Sequence, residues 1–311
     1  MDTNTSSPIA IAARGKEITG LEIFQRTTDD TPITRIQELL SIMNADQPTG
    51  GTDMSYGNGD AQHLRFWKAN NNPSKPPIVL FVHGGSWRSG TCLDSLGSAK
   101  VTHLTNKGYA FATVNYSLIP SVTVEEQVQE IANSLAYLIQ NAPQLGGFDP
   151  ERVILMGHSS GAHVVTLLGT DTNYLERAGV PINIVKAVVS LDGSNYNALA
   201  EITDSPGPVA DNLVDALGTD PKRLRAMSPT CHARAPNAGA FMLLHVCRQG
   251  DIRQAVELAG ALNAAGTDVA LHIFEGEGFE GHVQMLLRLG DPAYPATSVM
   301  DDWLDVHVPV A

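Results

Sequence analysis

The sequence feature that most constrains the fold is a series of short apolar runs separated by helical patterns. The runs are IVLFVHGG, YAFATVNY, RVILMG, VKAVVSLDG, FMLLHV and VALHIF. Continuous apolar runs of this length are typical of strands that are buried on both faces. Helical spacing of apolar residues marks the segments TVEEQVQEIANSLAYLIQNAP and IRQAVELAGALNAAG. Strands that alternate with helices predict a parallel sheet covered on both faces, with its sites at the carboxyl ends of the strands.

The composition supports a large core and argues against two classes of partner. The chain has 311 residues, 43% of them hydrophobic, and none of its apolar runs approaches the roughly 18 to 20 residues that a membrane-spanning helix needs. The formal net charge is −13, whereas nucleic acids and anionic membranes are bound by basic patches. We therefore expect a small-molecule partner, with neither nucleic-acid binding nor membrane insertion.

The cysteines and the first residues bear on the compartment. Cys92, Cys231 and Cys247 are far apart in the sequence, and an odd number at such spacing favours reduced thiols over a disulfide framework or a metal site. The start, MDTNTSSPIAIAARG, lacks the basic residues and the long apolar core of a secretory signal. These observations predict a cytoplasmic protein. The oligomeric state stays open, with a homodimer as the common default.

The domain organisation is predicted to consist of a short leader and one large domain. Residues 1–53 are polar and mixed, and within them TRIQELLSIMN has the pattern of a short amphipathic helix. The leader is either an N-terminal cap or a disordered lead-in, and the apolar face of the helix favours the cap. QPTGGTDMSYGNGD is expected to be a loop. Residues 54–311 are expected to form the main domain.

One stretch of the main domain does not follow the alternating pattern. Residues 193–236 have no clear strand period and are rich in Asp, Pro, Ala and Asn. A segment of this length between strands is often functional. We interpret it as an insertion over the edge of the sheet and a candidate lid, the alternative being an ordinary crossover with a long loop.

The segment RVILMGHSSGAH carries the first catalytic signal. It contains the pattern G-x-S-x-G with Ser159 at the centre, between a predicted strand and a predicted helix. We expect glycine at 157 and 161 because neighbouring backbone leaves no room for a side chain at a turn this sharp. Ser159 would then present its hydroxyl as a nucleophile, and Ser160 would present its backbone N–H to a developing oxyanion. The alternative interpretation is a plain turn rich in Gly and Ser.

A second signal lies upstream, in FVHGGSWRSG. A glycine pair after a strand allows backbone N–H groups to face a cavity, so Gly84 and Gly85 are candidate residues of the oxyanion hole. They could equally form a simple tight turn. Trp87 and His158 are the candidate substrate-binding residues, although Trp87 could also be a packing anchor.

A serine nucleophile needs a histidine base and an acid that orients it. His282 is the preferred base because it lies in FEGEGFEGHVQM, a predicted glycine-rich loop after the last strand. For the acid we prefer Asp251, which follows FMLLHV and a short loop, over Asp192, which follows the preceding strand. Either carboxylate could instead cap a helix or a turn.

Four segments together carry a resemblance to a known family. HGGSW, FDPERVILMGHSSGAH, MSPTCHARAPNAGAFMLLHV and GHVQM occur in the order seen in the α/β-hydrolase superfamily, over about residues 54 to 290. The chain resembles its hormone-sensitive-lipase-like carboxylesterases and kynurenine-formamidase-like enzymes. Two features depart from the lipase-like branch: Ser86 stands where a third glycine is usual, and VCRQGDIRQA is not its short G-x-x-D turn.

The resemblance implies an eight-stranded, mostly parallel sheet flanked by helices. It also implies an acyl-enzyme on Ser159, with His282 as base, Asp251 as acid, and Gly84, Gly85 and Ser160 around the oxyanion. No metal or organic cofactor is required by such a mechanism. A carboxylesterase is the preferred activity; an amidase or formamidase, an acyl-transferase or lactone-forming enzyme, and a non-catalytic binding protein are the alternatives.

Overall fold

A computed structural model describes residues 33–71 and 74–310. Its centre is an eight-stranded sheet with the order β1-β2-β4-β3-β5-β6-β7-β8. Strands β4, β3, β5, β6, β7 and β8 are parallel, and β1 and β2 form an antiparallel edge. The predicted mostly parallel sheet with helices on both faces is thereby confirmed.

The bounds of the elements agree with the apolar runs of the sequence. The strands span Thr52–Ser55 (β1), His63–Trp67 (β2), Ile78–Val82 (β3), Ala110–Val114 (β4), Val153–His158 (β5), Val185–Leu191 (β6), Ala240–Cys247 (β7) and Asp268–Glu277 (β8). The helices span Ile33–Ala45 (α1), Ser98–Lys107 (α2), Val124–Gln140 (α3), Ser160–Thr170 (α4), Thr172–Arg177 (α5), Ala198–Asp204 (α6), Pro208–Leu217 (α7), Pro221–Ala226 (α8), Pro229–His232 (α9), Gln249–Ala264 (α10), Gly278–Arg288 (α11) and Pro295–His307 (α12), with a 3₁₀ turn at Ile182–Ile184.

The core has two layers, one on each face of the sheet. Along β3, Leu80 and Val82 point into the layer formed with α3, α4 and α10. Val79 and Phe81 point into the opposite layer, which is formed with α1, α2, α11 and α12. Neighbouring side chains of a strand face opposite sides, so a strand covered on both sides must be apolar at every position. This requirement explains the continuous runs in the sequence.

The helix predicted in the leader forms and packs beside the later site. It is α1, whose buried Leu39 and Met43 join the core layer that also contains Phe279 and Val283 of α11. Burying a side chain such as Leu39 contributes roughly 1.5–3 kcal/mol, which is sufficient to hold a short helix against the domain. The part of the predicted leader at residues 1–32 lies outside the described residues.

The loop predicted around QPTGGTDMSYGNGD is wrong at its centre. Thr52–Ser55 form β1, which pairs with β2 from Thr52 opposite Phe66 to Ser55 opposite His63. Three of its four residues are exposed. Only Met54 of this edge strand packs against the core, and one apolar residue leaves no apolar period in the sequence.

The stretch at 193–236 is a helical crossover from β6 to β7 and contains α6, α7, α8 and α9. Short helices with prolines at their first turns replace the loop character suggested by the composition. Whether this crossover acts as a lid stays a prediction. Among the residues that the structure describes, no helix is both long enough and apolar enough to span a membrane.

Candidate active site

Ser159 stands on a sharp turn between β5 and α4. Its φ of 57° lies in the left-handed region, which is a strained conformation for a residue with a side chain. The turn requires glycine on both sides. A Cβ on Gly157 would stand 2.3 Å from the carbonyl oxygen of Gly161, and a Cβ on Gly161 would stand 2.2 Å from that of Val82. The crowding expected from G-x-S-x-G is thus present.

The turn after β3 is also strained and lies against Ser159. Gly85, Ser86 and Trp87 have successive positive φ values of 122°, 52° and 61°. A Cβ on Gly84 would stand 2.8 Å from the Cβ of Ser159. Only a glycine at 84 therefore allows the turn to approach Ser159 this closely.

Hydrogen bonds hold this turn in place. The Tyr116 hydroxyl donates to the carbonyl of His83 at 2.8 Å, and the Gln127 side-chain amide donates to the carbonyl of Trp87 at 2.8 Å. The backbone N–H of Trp87 lies 3.4 Å from Ser160 Oγ, which is a long contact between the turn and α4. Strained backbone of this kind persists when the surroundings over-determine it.

His282 lies on a helix rather than in the predicted loop. It is the fifth residue of α11, which begins directly after β8. The prediction of a loop was wrong because the glycines of FEGEGFEGHVQM lie at the junction between strand and helix. The ring remains buried, and its Nδ1 donates to Asp192 Oδ2 at 2.5 Å. This bond leaves Nε2 as the nitrogen able to accept a proton.

The carboxylate beside His282 corrects the sequence prediction. Asp192, the alternative, is the partner, and the preferred Asp251 is not. Asp251 lies in the first turn of α10, and its Oδ2 binds the Arg248 guanidinium at 2.8 Å. An aspartate in the first turn of a helix is favoured by the helix dipole. That ordinary structural preference accounts for the position of Asp251 in the sequence.

Asp192 is held from three sides at the carboxyl end of β6. It directly follows Leu191, which pairs with His158 of β5 and with Leu244 of β7. Its Oδ1 accepts the backbone N–H of Val246 at 3.0 Å, and its Oδ2 accepts Arg248 at 2.8 Å. The sheet order therefore brings the carboxylate next to the strand that ends at Ser159.

The charges around Asp192 keep it ionised. Burial alone would raise the pKa of Asp192, but the Arg248 charge, the nearby His245 ring and the hydrogen bond from His282 hold it well below its ordinary value. Burial lowers the pKa of the His282 imidazole, and the Arg248 charge lowers it further, while the bond to Asp192 opposes both effects. At neutral pH the arrangement is an unprotonated imidazole held by a carboxylate.

His158 lies where it supports His282. Its Nε2 donates to the backbone carbonyl of His282 at 3.0 Å, and the two ring centroids are 4.3 Å apart. Burial and the neighbouring His282 hold the pKa of His158 well below its ordinary value. The side chain is buried and lines only the smaller of two cavities at the site. The structure therefore favours a supporting position for His158 over the predicted contact with substrate.

The larger cavity opens over Ser159 and has a volume of about 520 Å³, its open mouth included. Both Ser159 and His282 line it, and so does Trp87. The remaining wall is mainly polar. It is formed by Ser86, Ser160, Ser194, Asn195, Val209, Asn212, Arg248 and Phe279. Four of these residues belong to the 193–236 crossover, and no sequence motif pointed to them or to Arg248.

A smaller cavity of about 260 Å³ shares Ser159 and His282 as walls. It lies against the glycine pair Gly84 and Gly85, and Met43 of α1 also lines it. Of the predicted oxyanion residues, Gly84 and Gly85 therefore lie close to Ser159 on the side of this smaller cavity, whereas Ser160 lines the larger one. Over residues 33–71 and 74–310, no cluster of three or more His, Cys, Asp or Glu could hold a metal ion.

Residues 64–254 match the BD-FAE family model, which is more than half of the chain. The chain belongs to the BD-FAE family. The match runs from β2 to the second turn of α10, so it includes Ser159 and Asp192 and ends before His282. The prediction of an α/β-hydrolase of the carboxylesterase type is confirmed at the level of family and fold.

Two curated relatives resemble this BD-FAE chain over part of their length. A probable isoprenylcysteine alpha-carbonyl methylesterase of Oryza sativa is 26% identical over 255 residues, which are 78% of this chain and 58% of the relative. The kynurenine formamidase of Danio rerio is 29% identical over 120 residues, which are 38% of this chain and 39% of the relative. The chain thus spans less than two thirds of the length of these relatives.

A solved structure agrees over most of the chain. Thermogutta terrifontis esterase 2, phosphonylated by sarin, superposes with a TM-score of 0.66 and covers 84% of this chain and 96% of its own. The sequences are 18% identical. At this identity the likeness shows that the BD-FAE chain has the α/β-hydrolase fold.

Proposed function

We propose that the protein is a serine hydrolase that cleaves carboxylic esters of small or medium size. The observation that carries the proposal is the arrangement of Ser159, His282 and Asp192. Ser159 stands on a strained strand-to-helix turn, His282 lines the same cavities, and the 2.5 Å bond to Asp192 orients the imidazole. A nucleophile, a base and an acid that orients the base are the parts that acyl transfer needs.

The reaction proceeds in two acyl-transfer steps. Ser159 Oγ attacks the ester carbonyl carbon while His282 Nε2 takes the hydroxyl proton. The tetrahedral intermediate collapses, His282 returns the proton to the leaving alkoxide oxygen, and an acyl-enzyme remains. A water molecule, deprotonated by His282, then attacks the acyl-enzyme; the bond to Ser159 Oγ breaks, His282 returns the proton to Oγ, and the acid is released. Asp192 stays ionised throughout and stabilises the imidazolium in both steps.

The oxyanion is held by backbone N–H groups of Gly84, Gly85 and Ser160. Ser160 is the first residue of α4, where backbone N–H groups have no partner within the helix. Gly84 approaches Ser159 more closely than any residue with a Cβ could. Preorganised donors of this kind contribute about 10²–10³ in kcat each.

The relatives support an ester as the substrate. The rice relative is a probable methylesterase, and the bacterial structure carries the name of an esterase. The cavity over Ser159 is concave and is lined by eleven residues, and concave clefts of this kind are the usual sites for small molecules. These observations favour an ester of small or medium size over a polymeric substrate that would have to enter the cavity along its whole length.

Covalent labelling tests the proposed nucleophile directly. The protein is treated with a fluorophosphonate probe, and the adduct is located by intact-mass measurement and peptide mapping. We expect one adduct, on Ser159, and loss of p-nitrophenyl acetate turnover in proportion to labelling. Turnover that persists in fully labelled protein, or a folded protein with no turnover of any ester, would rule the proposal out.

A formamidase is the second candidate function. The Danio rerio relative is a kynurenine formamidase, and the same three side chains would serve an amide. A matched pair of substrates separates the two activities, because p-nitrophenyl acetate and p-nitroacetanilide differ only in the atom that leaves. We expect the ester to be preferred; a higher kcat/KM for the amide would make the second function the better description.

We further propose that residues 33–53, the described part of the leader, and the crossover at 193–236 cover the active site of a catalytic domain at 54–311. Ser194, Asn195, Val209 and Asn212 of the crossover line the larger cavity, and Met43 of the N-terminal helix lines the smaller one. Both segments therefore contribute to the substrate pocket. A cytoplasmic location and a homodimer stay predictions.

Replacing Met43 is expected to change which esters are accepted. Met43 is 5% exposed and lines the smaller cavity beside Ser159, so Met43→Ala removes three heavy atoms from its wall. We expect the ester chain length with the highest kcat/KM to increase by about two carbons, and the variant to lose about 2–5 kcal/mol of stability. The measurement is kcat/KM over p-nitrophenyl esters from acetate to octanoate, and over 1-naphthylacetates with alcohols of increasing length.

The neighbouring residue provides a matched control for this prediction. Ile42 lies on the same helix but is 42% exposed, so Ile42→Ala should leave both chain-length profiles unchanged. An unchanged profile for Met43→Ala as well would show that the smaller cavity does not receive substrate.

A further inference from the structure

Arg248 lies between two carboxylates, and sequence motifs assign it no role. One guanidinium nitrogen is 2.8 Å from Asp192 Oδ2, and the other terminal nitrogen is 2.8 Å from Asp251 Oδ2. The first nitrogen is also 3.0 Å from His282 Nδ1. That nitrogen of His282 donates to Asp192, so the contact between the guanidinium and the imidazole is a close approach of two donors rather than a hydrogen bond.

The same carboxylate oxygen thus serves two cationic partners. Asp192 Oδ2 accepts both from His282 at 2.5 Å and from Arg248 at 2.8 Å. In a Ser-His-Asp arrangement the carboxylate orients the imidazole and stabilises the imidazolium. Here the guanidinium neutralises part of that charge and adds a positive charge beside the ring.

We propose that Arg248 is a positioning residue for the Asp192–His282 pair and thereby sets the pH range in which the protein turns over esters. The inference rests on the proposed function of Ser159 and His282. It assigns Arg248 an action through its neighbours, even though the side chain also lines the larger cavity. Asp251 holds the guanidinium in place from the far side.

The other ionisable groups around the pair come from each element packed against it. His158 of β5 stacks near His282, and His245 of β7 has its Nδ1 3.4 Å from Asp192 Oδ1. Behind Arg248 lie Asp251 and Glu201, and their charges act on it. Two further charges act from a greater distance: that of Lys100 on His158 and that of Asp204 on Asp251. Tyr294 is also close enough for the charge of Asp192 to act on it.

The sign of the effect follows from electrostatics. A positive charge close to the imidazole disfavours its protonated form, so Arg248 lowers the pKa of His282. Catalysis needs the unprotonated ring, and a lower pKa keeps the ring unprotonated to a lower pH. Arg248 therefore extends activity toward acid. Removing it should raise the pKa of His282 and move the acid limb of kcat/KM to higher pH.

Three variants test this directly. In Arg248→Met the acid limb of kcat/KM should move up by at least about one pH unit. At a pH below both limbs, such a shift lowers kcat/KM about tenfold relative to the wild type. Arg248→Lys keeps the charge but has no planar fork to bridge two carboxylates. The upward pH shift of its acid limb should therefore be less than half of the shift in Arg248→Met. Arg248→Met/Asp251→Asn removes both sides of the outer ion pair, and it keeps the test available if the single variant is unfolded.

A remote ion pair supplies the matched control. Arg152 binds Asp149 at 2.8 Å directly before β5, at the end of that strand opposite Ser159. Arg152→Met should leave the acid limb where it is. An acid limb that also stays in place in folded Arg248→Met and in the double variant would overturn the inference.

A measurement without turnover separates this inference from the proposed function. Histidine labelled with ¹³C at Cε1 reports the titration of His282 by NMR, with His282→Gln to assign the signal. In the wild-type protein we expect His282 to titrate below about 6.5, the ordinary value of a histidine, and in Arg248→Met above its wild-type value. Titration at or above 6.5 in the wild type would contradict the role of Arg248. Turnover retained by Ser159→Ala would instead contradict the proposed function and leave the NMR result to decide on Arg248.

Discussion

Ser159→Ala is expected to lower kcat/KM for p-nitrophenyl esters by about 10⁶-fold, because the acyl-enzyme cannot form without the hydroxyl. The fold should be retained. The Ser159 side chain makes no capping hydrogen bond to α4, and alanine meets the same backbone strain at φ 57° as serine does. Thermal unfolding should therefore shift little, while labelling by a fluorophosphonate should disappear.

The adjacent serine is the control for this variant. The role proposed for Ser160 is donation to the oxyanion by its backbone N–H, and its hydroxyl has no part in it. That hydroxyl makes only a long contact, of 3.4 Å, with the N–H of Trp87. Ser160→Ala should keep its backbone donor and lose less than about tenfold in kcat/KM, since one weak neutral hydrogen bond contributes about 1 kcal/mol. The reverse ranking of the two serines would show that the roles within GHSSG have been exchanged.

The fold was predictable because its main signal is local. Strands β3 to β7 are almost entirely buried, and strands buried on both faces are apolar at nearly every position, so the sequence displays them directly. The capping box of Thr123 and Glu126 likewise marks the start of α3. The exposed strand β1 gave no such signal, since only Met54 of it packs against the core and the Asp53–Arg65 ion pair that joins it to β2 leaves no apolar pattern.

The site was only partly predictable because its partners are set by sheet order. The sequence shows that Asp192 and Asp251 both follow strands, but not which strand neighbours which. In the structure β6 lies next to β5, so Asp192 is beside the strand that leads to Ser159. Asp251 starts a helix one strand further away. A preference for acids that directly end a strand, over acids in the first turn of a predicted helix, would have favoured Asp192.

Neither the apolar periodicity nor the motifs of the sequence indicated the remaining residues of the site. Met43 comes from a helix more than a hundred residues before Ser159 and enters the site by packing against α11. Arg248 acts by reaching two carboxylates that are 59 residues apart in the sequence. Contacts of this kind depend on tertiary packing, which neither periodicity nor motif spacing encodes.

Asp192→Asn is expected to lower kcat/KM by about 10⁴-fold, as loss of the orienting carboxylate does in serine proteases. Both oxygens of Asp192 accept hydrogen bonds: Oδ1 from the N–H of Val246, and Oδ2 from Arg248 and His282. Whichever position the amide NH₂ takes, it meets a donor. The imidazole then loses its acceptor at Nδ1 or changes tautomer, and the buried N–H groups left unpaired cost about 1–3 kcal/mol of stability.

Asp251→Asn should be far milder, and the comparison decides which acid serves the proposed base. Burial raises the pKa of Asp251 well above its ordinary value, with Arg248 opposing and Glu201 reinforcing the shift. Asp251 binds Arg248 and not His282, and an asparagine keeps a carbonyl oxygen that can accept from the guanidinium, so we expect less than about tenfold loss in kcat/KM. The two variants are compared at pH 8 with thermal unfolding of each. A larger loss in Asp251→Asn than in Asp192→Asn would mean that the ring of His282 turns away from Asp192 during turnover, because the 2.5 Å bond would then not be the catalytic one.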